Sequence, residues 1–372
     1  MKRLCFLISH KPDNRYIKRI NILKGKYDLR VIFWNKNAYN VKPSIDGAII
    51  NEVQIPANQT NPLKRIPELI RFIRTSYNRL IECNPDAIYV GNLDMLYIAY
   101  KYKHNINVNV KIIYEIADLH RLIVDKQYGA KLALSKLLKC IEKKYCENID
   151  LLVLTSMKFY DVYYKNFIDK SKVVFMPNMP EENTFKKYKK VYHKDFTVGF
   201  IGWIRYKKQL HMLIDAAKKA GVKVLFAGED GEGDKFKREC EKYSHITYIG
   251  PFDYEKQICQ MYQMVDCIYA VYDADMANVR VALPNKLYEA MMCEVPIIVA
   301  KNTYLSELVT KMGIGAMVDH KDNTELISEL IKESTDKRYY NNYCKNCKIN
   351  KQSVSLKVYN TFLLDSLEKI ME

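Results

Sequence analysis

Short runs of continuously apolar residues alternate with helix-length stretches along nearly the whole chain, and this alternation constrains the fold more than any other feature. In the first half the runs are RLCFLIS (3–9), LRVIFW (29–34), DAIYV (86–90), VKIIYEI (110–116), DLLVLTS (150–156) and KVVFMPN (172–178). Helices are expected between them, at about 65–82, 92–103, 128–147 and 157–166. Strands that are apolar on both sides and separated by helices belong to a parallel sheet covered on both faces. The stretch PEENTFKKYKKVYHKDF (180–196) then breaks the pattern with proline, asparagine and a basic run. It reads as a linker, because the pattern restarts with FTVGFIG (196–202), KVLFAG (223–228), ITYIG (246–250), CIYAVY (267–272), PIIVA (296–300) and GAMVD (315–319).

The expected fold class is therefore α/β, with two doubly wound parallel-sheet domains facing across a cleft. The expected bounds are 1–180, a linker at 181–195, 196–352, and a final helix at 353–372 packing back towards the first domain. Ligands of such sheets bind beyond the C-terminal ends of the strands.

A length of 372 residues suits about two domains. No run approaches the roughly 18–20 apolar residues of a membrane span. The opening MKRLCFLISHKP has only a five-residue apolar core, Leu4 to Ile8, too short for a secretory signal, whose core needs about 7–15 residues. A cytoplasmic location is expected. The ten cysteines are scattered and mostly sit in apolar stretches, where a free thiol acts as a small hydrophobe. Cys344 and Cys347 form a lone CxxC without a second pair or a nearby histidine, so neither zinc nor redox chemistry is expected there.

Charge is unevenly spread. Residues 1–180 carry 30 lysines and arginines against 16 acids, whereas residues 181–372 carry 29 against 27. The first half is thus suited to an anionic partner. Its stretch NPLKRIPELIRFIRTSYNRLIE (61–82) sets Leu63, Ile66, Leu69, Ile70, Ile73, Tyr77, Leu80 and Ile81 on one face, with five basic residues largely off it. Such a helix either packs on the sheet with a solvated basic face or lies on an anionic membrane surface. A nucleic-acid partner is not expected: the 29 tyrosines are spread over the whole chain and no nucleic-acid-binding motif occurs.

Chemistry concentrates in the second half. VGFIGWIRYKKQL (198–210) is a strand, a glycine turn at Gly202 and a helix start crowded by Arg205, Lys207 and Lys208. Cations at that end oppose the helix dipole, which favours an anionic ligand among them. YIGPFDYEKQ (248–257) ends a strand with Gly250, Pro251 and Phe252, a backbone edge and an apolar surface suited to a nucleobase. PNKLYEAMMCEVPIIVA (284–300) places Lys286 and Glu289 at a helix start: either a solvated pair or a grip on phosphate and sugar hydroxyls.

In this order these segments resemble the donor domain of the GT-B-fold glycosyltransferases, most closely family four, the glycosyl transferases group one. The resemblance rests on Gly202, Arg205 and Lys208; on Ala227, Gly228 and Glu229; on the strand end Ile246 to Gly250; and on Pro284, Lys286, Glu289, Met291, Pro296 and Ile297. PDNRYIKRINIL, IEKKYCENIDLLVLTS and VVFMPN resemble the family's first half more weakly. The resemblance implies transfer of a sugar from a nucleotide-sugar donor to a saccharide or lipid-linked acceptor, usually with retention and without a bound metal or other cofactor. It also implies work in bacterial surface-polysaccharide assembly. Arg205 and Lys208, or Lys207, then neutralise the leaving diphosphate, and Glu289 grips the ribose. Lys286 and the amides of Asn285 and Lys286 lie near the phosphates or the donor sugar.

There are two departures. Many members carry a glutamate eight residues before the second one, where this chain has Val281; Asn278, Arg280 or Asn285 are candidates for the missing contact. Many also have histidine before Asp118, where this chain has Ala117, so Asp118 and His120 are the candidates for positioning or deprotonating the acceptor hydroxyl. An epimerase or a non-catalytic nucleotide-sugar binder of the same fold is the alternative that Val281 keeps open. Asp273 and Asp275 imitate the metal-holding Asp-x-Asp of the one-sheet glycosyltransferase fold, but two doubly wound halves argue against that fold, and no metal is expected.

Overall fold

The computed structural model describes residues 1–37, 45–58, 63–353 and 355–372. The chain divides into two units, Met1–Asn178 with Lys357–Glu372, and Met179–Leu356.

The first unit contains β1 (Arg3–Ile8), α1 (Asn14–Leu23), β2 (Asp28–Asn35), β3 (Ala48–Gln54), α2 (Ile66–Cys83), β4 (Ala87–Val90) and α3 (Leu93–Asn105). It continues with β5 (Lys111–Ile116), α4 (Arg121–Val124), α5 (Ala130–Cys146), β6 (Leu151–Leu154), α6 (Met157–Val162) and β7 (Val173–Phe175). Its seven strands are parallel, in the order β3-β2-β1-β4-β5-β6-β7. Strands β4 and β6 are buried along their whole length, as continuous apolar runs require of a sheet covered on both faces. Strand β3 is absent from the sequence expectation: it is an edge strand, mostly half-buried, with a polar half, Asn51, Glu52 and Gln54, that hides its period.

The second unit contains β8 (Thr197–Ile201), α7 (Lys207–Ala220), β9 (Lys223–Ala227), α8 (Lys235–Cys240), β10 (Ile246–Gly250), α9 (Tyr254–Gln263) and β11 (Cys267–Ala270). Then follow α10 (Ala277–Val281), α11 (Asn285–Met292), β12 (Ile297–Ala300), α12 (Tyr304–Met312), β13 (Gly315–Val318), α13 (Thr324–Thr335) and α14 (Lys337–Ser353). Its six parallel strands run β10-β9-β8-β11-β12-β13. In both sheets the order reverses beside the first strand, between β1 and β4 and between β8 and β11, and that reversal opens a crevice where loops diverge to opposite faces. The core beneath the second crevice joins Phe200, Phe226, Tyr269 and Ile298 from the strands to Leu210, Leu213 and Ile214 of α7.

The last helix, α15 (Leu356–Met371), lies with the first unit. Lys2 Nζ donates to the Met371 carbonyl, Lys26 pairs with Glu368 at 2.9 Å, and Tyr359 meets Phe175 edge-on at 5.4 Å.

Two expectations are corrected. The stretch 181–195 is not a free linker but part of the second unit: Phe185 is buried against Tyr262, Lys190 donates to the Glu294 carbonyl at 2.7 Å, and His193 meets Asp266 at 3.0 Å. In α2 the buried positions are Phe72, Ser76 and Leu80, with Phe72 stacked on Trp34 at 4.7 Å. Ile66, Ile70 and Ile81, expected on the packed face, are exposed. Phe72, rather than these isoleucines, is the residue of α2 that faces Trp34. Asn61, Pro62 and the Leu63 side chain lie outside the described residues.

Candidate functional site

The C-terminal end of β8 turns at Gly202 (φ 134°), whose amide donates to the Ala227 carbonyl at 2.7 Å. Its neighbour in the sheet, Gly228 (φ 147°), has no room for a Cβ, which would collide with the Gly202 carbonyl. Two glycines thus let the ends of β8 and β9 touch backbone to backbone. Tyr206 follows in the left-handed region (φ 61°) and caps α7 without a side-chain hydrogen bond. A non-glycine residue there costs on the order of 1 kcal/mol or more. It leaves the first amides of α7 open, since only Gln209 and Leu210 donate back to the Tyr206 carbonyl.

A second helix start converges on this turn. Pro284 is extended at the N-terminus of α11, also with no side-chain cap, and the first amide to bond back is that of Leu287. The amides of Asn285 and Lys286 therefore lack helical partners. The Lys286 side chain reaches over the Gly202 turn: a Cβ there would stand 2.8 Å from its Nζ. The ammonium lies 4.9 Å from the centre of the Phe200 ring and 5.9 Å from that of Tyr272. It forms no ion pair with a carboxylate among the described residues, and neither do Arg205 and Lys208, both exposed on the turn.

Lys207 differs from the reading of its sequence. Its Nζ lies 2.8 Å from Glu232 and 3.4 Å from Asp230. Burial works to lower its pKa, but Glu232 and Asp230 outweigh that and raise it. Asp230 is itself fixed by the amides of Glu232 and Phe236 at 3.2 Å each. Lys207 is thus neutralised from the acidic turn after β9, and the excess positive charge belongs to Arg205, Lys208 and Lys286.

Of the two readings of Glu289, the pair with Lys286 is not made. Glu289 is buried, 3% exposed. One carboxylate oxygen accepts from the Tyr254 hydroxyl at 2.6 Å and the other from the Tyr262 hydroxyl at 2.8 Å. Burial and then the Glu289 charge push both phenols well above their ordinary value, so both stay donors. A carboxylate offers about four lone-pair positions, which leaves roughly two for a further donor. The tyrosines, brought by α9, were missed in the sequence because a tyrosine at helical spacing is an ordinary core residue.

The other expected residues of the second unit lie on loops and helix starts that follow its strands. Pro251 is exposed after β10, just before Asp253, which caps α9 by accepting from the Lys256 amide at 3.3 Å. Asn278 lies half-buried in α10, and Asn285 opens α11. Arg280 is engaged at the carbonyls of Ala274 and Asp275, at 3.0 and 2.9 Å, so it braces its own loop. In the first unit, Asp118 and His120 are exposed at the end of β5. His120 Nδ1 accepts from the Leu122 amide at 3.3 Å, capping α4. Sequence reasoning missed the cluster beneath them. Glu115, fully buried in β5, lies 3.0 Å from Arg19, 3.4 Å from Arg15 and 2.6 Å from the Tyr89 hydroxyl.

A glycine turn, two uncapped helix starts and three cations without carboxylate partners among the described residues meet at the strand reversal of a parallel sheet, an arrangement chemically suited to an anionic ligand. Residues 181–353, within the second unit, match the family described as glycosyl transferases group 1. Over 260 residues the chain is 22% identical to the succinoglycan biosynthesis protein ExoL of Rhizobium meliloti, covering 66% of this chain and 63% of that relative, less than two thirds of its length. In structure it is similar to a sucrose-phosphate synthase from Thermosynechococcus elongatus, at TM-score 0.76 and 14% identity over 99% of both chains. It is also similar to HepE of Anabaena in complex with UDP, at TM-score 0.72 and 17% identity over 99% of this chain and 100% of that one.

Proposed function

We propose that the chain transfers a sugar from a nucleotide-sugar donor to a saccharide or lipid-linked saccharide acceptor in surface-polysaccharide biosynthesis. The observation that carries this reading is the trio Arg205, Lys208 and Lys286 around the Gly202 turn. Charge develops on the leaving diphosphate as the glycosidic bond breaks, and cations already in place there stabilise it without reorganisation. Pro251 and Phe252 offer the base its edge, and Glu289 accepts from a ribose hydroxyl beside its tyrosine donors. Asn278 and Asn285 contact the donor sugar where Val281 cannot. Asp118 or His120 positions the acceptor hydroxyl. The transfer itself uses no metal and retains the anomeric configuration, in keeping with the family resemblance. The complex of HepE with UDP favours a uridine diphosphate donor.

Thermal-shift titration with UDP-, GDP-, CMP- and dTDP-sugars tests the donor. Lys286→Ala and Arg205→Ala are expected to weaken nucleotide binding by on the order of tenfold or more each, the loss of one charge-assisted contact of about 1.5–3 kcal/mol. Lys207→Ala should change it far less. Wild-type affinity in both of the first two variants would place the donor elsewhere. Nucleotide released only when acceptor is present supports transfer, whereas a changed sugar without release supports the epimerase alternative.

The acceptor side is suited to an anionic membrane. Ile66 and Ile70 are 47% and 45% exposed, beside the exposed Arg71 and Arg74, an apolar and basic mixture that lies at a lipid interface. No described helix is long and apolar enough to cross a membrane. Co-sedimentation with phosphatidylserine vesicles should fall as salt rises from low to physiological strength, and Arg71→Glu/Arg74→Glu should abolish it. Salt-independent sedimentation would contradict this placement.

A further inference from the structure

Asp273 and Asp275 were expected to hold no metal, yet the fold brings them a third donor from 45 residues downstream. Asp273 and Asp275 follow β11, while His320 follows β13, two strands away in the sheet. One ligand atom from each lies within 4.8 Å of the others. His320 Nε2 stands 3.6 Å from an Asp273 oxygen and 3.5 Å from an Asp275 oxygen. Two donors about 2.1 Å from one ion, at the tetrahedral angle, are about 3.4 Å apart. His320 Nε2 therefore stands between the two carboxylates at ion-pair distances close to the separation of ligands around a shared cation.

The histidine is the independent witness. It is 9% exposed, and its Nε2 is buried without a hydrogen-bond partner, facing only the two carboxylates. It is aimed at the carboxylates by its surroundings. Its carbonyl accepts from Gln209 Nε2 at 3.0 Å, and Gln209, 2% exposed, is held in turn through its own carbonyl by the Tyr269 hydroxyl at 2.9 Å. Its other nitrogen, Nδ1, lies 4.0 Å from Asp319, beyond hydrogen-bond distance. The aspartates are fixed as well. The Asp275 amide donates to Asp273 Oδ1 at 3.1 Å, and Arg280 clamps the loop carbonyls. The Lys321 ammonium lies 2.8 Å from Asp275; it is exposed and can swing away, so it competes with a metal for that carboxylate.

We infer that Asp273, Asp275 and His320 form a binding site for a divalent first-row cation. Two carboxylates supply the charge, and the imidazole selects Mn²⁺ to Zn²⁺ over Mg²⁺ and Ca²⁺, which prefer oxygen alone. The site pins the loop after β11 to the end of β13 and, through Gln209, to the first turn of α7. It is separate from the transfer chemistry proposed above and does not depend on it.

Titration of MnCl₂ into the full-length chain, followed by the paramagnetic resonance signal of the free ion, tests this without any turnover. One Mn²⁺ bound per chain is expected, displaced by ZnCl₂. His320→Gln and Asp275→Asn should each weaken binding by on the order of tenfold or more, and Lys321→Ala should tighten it by removing the competing ammonium. Asp275 is 63% exposed, so its substitution leaves the fold intact even where His320→Gln does not. Absence of saturable Mn²⁺ binding, or binding that the Asp275 variant leaves unchanged, overturns the site.

Discussion

Glu115→Ala is expected to destabilise the first unit by about 3–5 kcal/mol, the usual result of removing one member of a buried ion pair. Glu115 is wholly buried, and it faces Arg15, 8% exposed, and Arg19, 1% exposed. Burial pushes its carboxyl up, but the guanidiniums of Arg19 and Arg15 outweigh this and hold it below the ordinary range. Without it, two like charges remain close together in a dry interior, and the Tyr89 hydroxyl loses its acceptor. With folded domains stable by only about 5–15 kcal/mol, that loss is a large share of the whole. Hydrogen exchange locates the effect: amides of β1, β4, β5 and α1 should lose protection while those of β8 to β13 keep theirs. Adding Arg19→Met to the variant should recover part of the loss, because it removes one of the uncompensated charges. An unchanged exchange pattern in β5 would show that the cluster is not a keystone of this sheet.

The second large effect is a loss of stability in the second unit as pH rises from about 5 to about 8. Glu333 in α13 is 2% exposed, and neither carboxyl oxygen has a hydrogen-bond partner. Burial pushes its pKa from an ordinary 4.5 up to about 8, with Cys267 and Glu329 as its titratable neighbours. The folded state therefore keeps a proton that the unfolded chain releases above pH 4.5. The sign follows: stability is full below that value, falls with rising pH across the gap, and levels off above about 8. At about 1.4 kcal/mol per pH unit the loss approaches on the order of 5 kcal/mol. Burial raises Glu329 as well, so its contribution has the same direction. Glu333→Gln supplies an uncharged side chain of the same shape, and its unfolding temperature should fall much less between pH 5 and 8. Parallel curves for the two proteins would refute the assignment.

Strands buried on both faces were legible in the sequence because their apolar runs are local. β4 and β6 fall within a residue or two of where composition puts them. β3 was not, because an edge strand with one polar half gives no such run. In the candidate site the glycine turn, Arg205, Lys208 and Lys286 could be read directly. What could not be read was partner choice. Lys207 and Lys208 are adjacent and chemically alike, but only Lys207 reaches Glu232 and Asp230. Glu289 could be read as half of a helical pair with Lys286 or as a grip on sugar hydroxyls; nothing in the sequence pointed to the two tyrosines of α9 that donate to it. His320 joins Asp273 and Asp275 across two strand pairings. Each of these is decided by tertiary neighbours distant in sequence, which no local spacing encodes.

The placement of α15 bears on how the protein is made. The second unit is one continuous stretch, whereas the first closes only when residues 357–372 return to it. On a ribosome adding about 5–20 residues per second, the interval between the end of β7 and the arrival of α15 is about 10–40 s. Throughout that interval the first sheet is present without the helix that covers Phe175 and meets Lys2 and Lys26. The earlier-made unit is therefore the later to be completed.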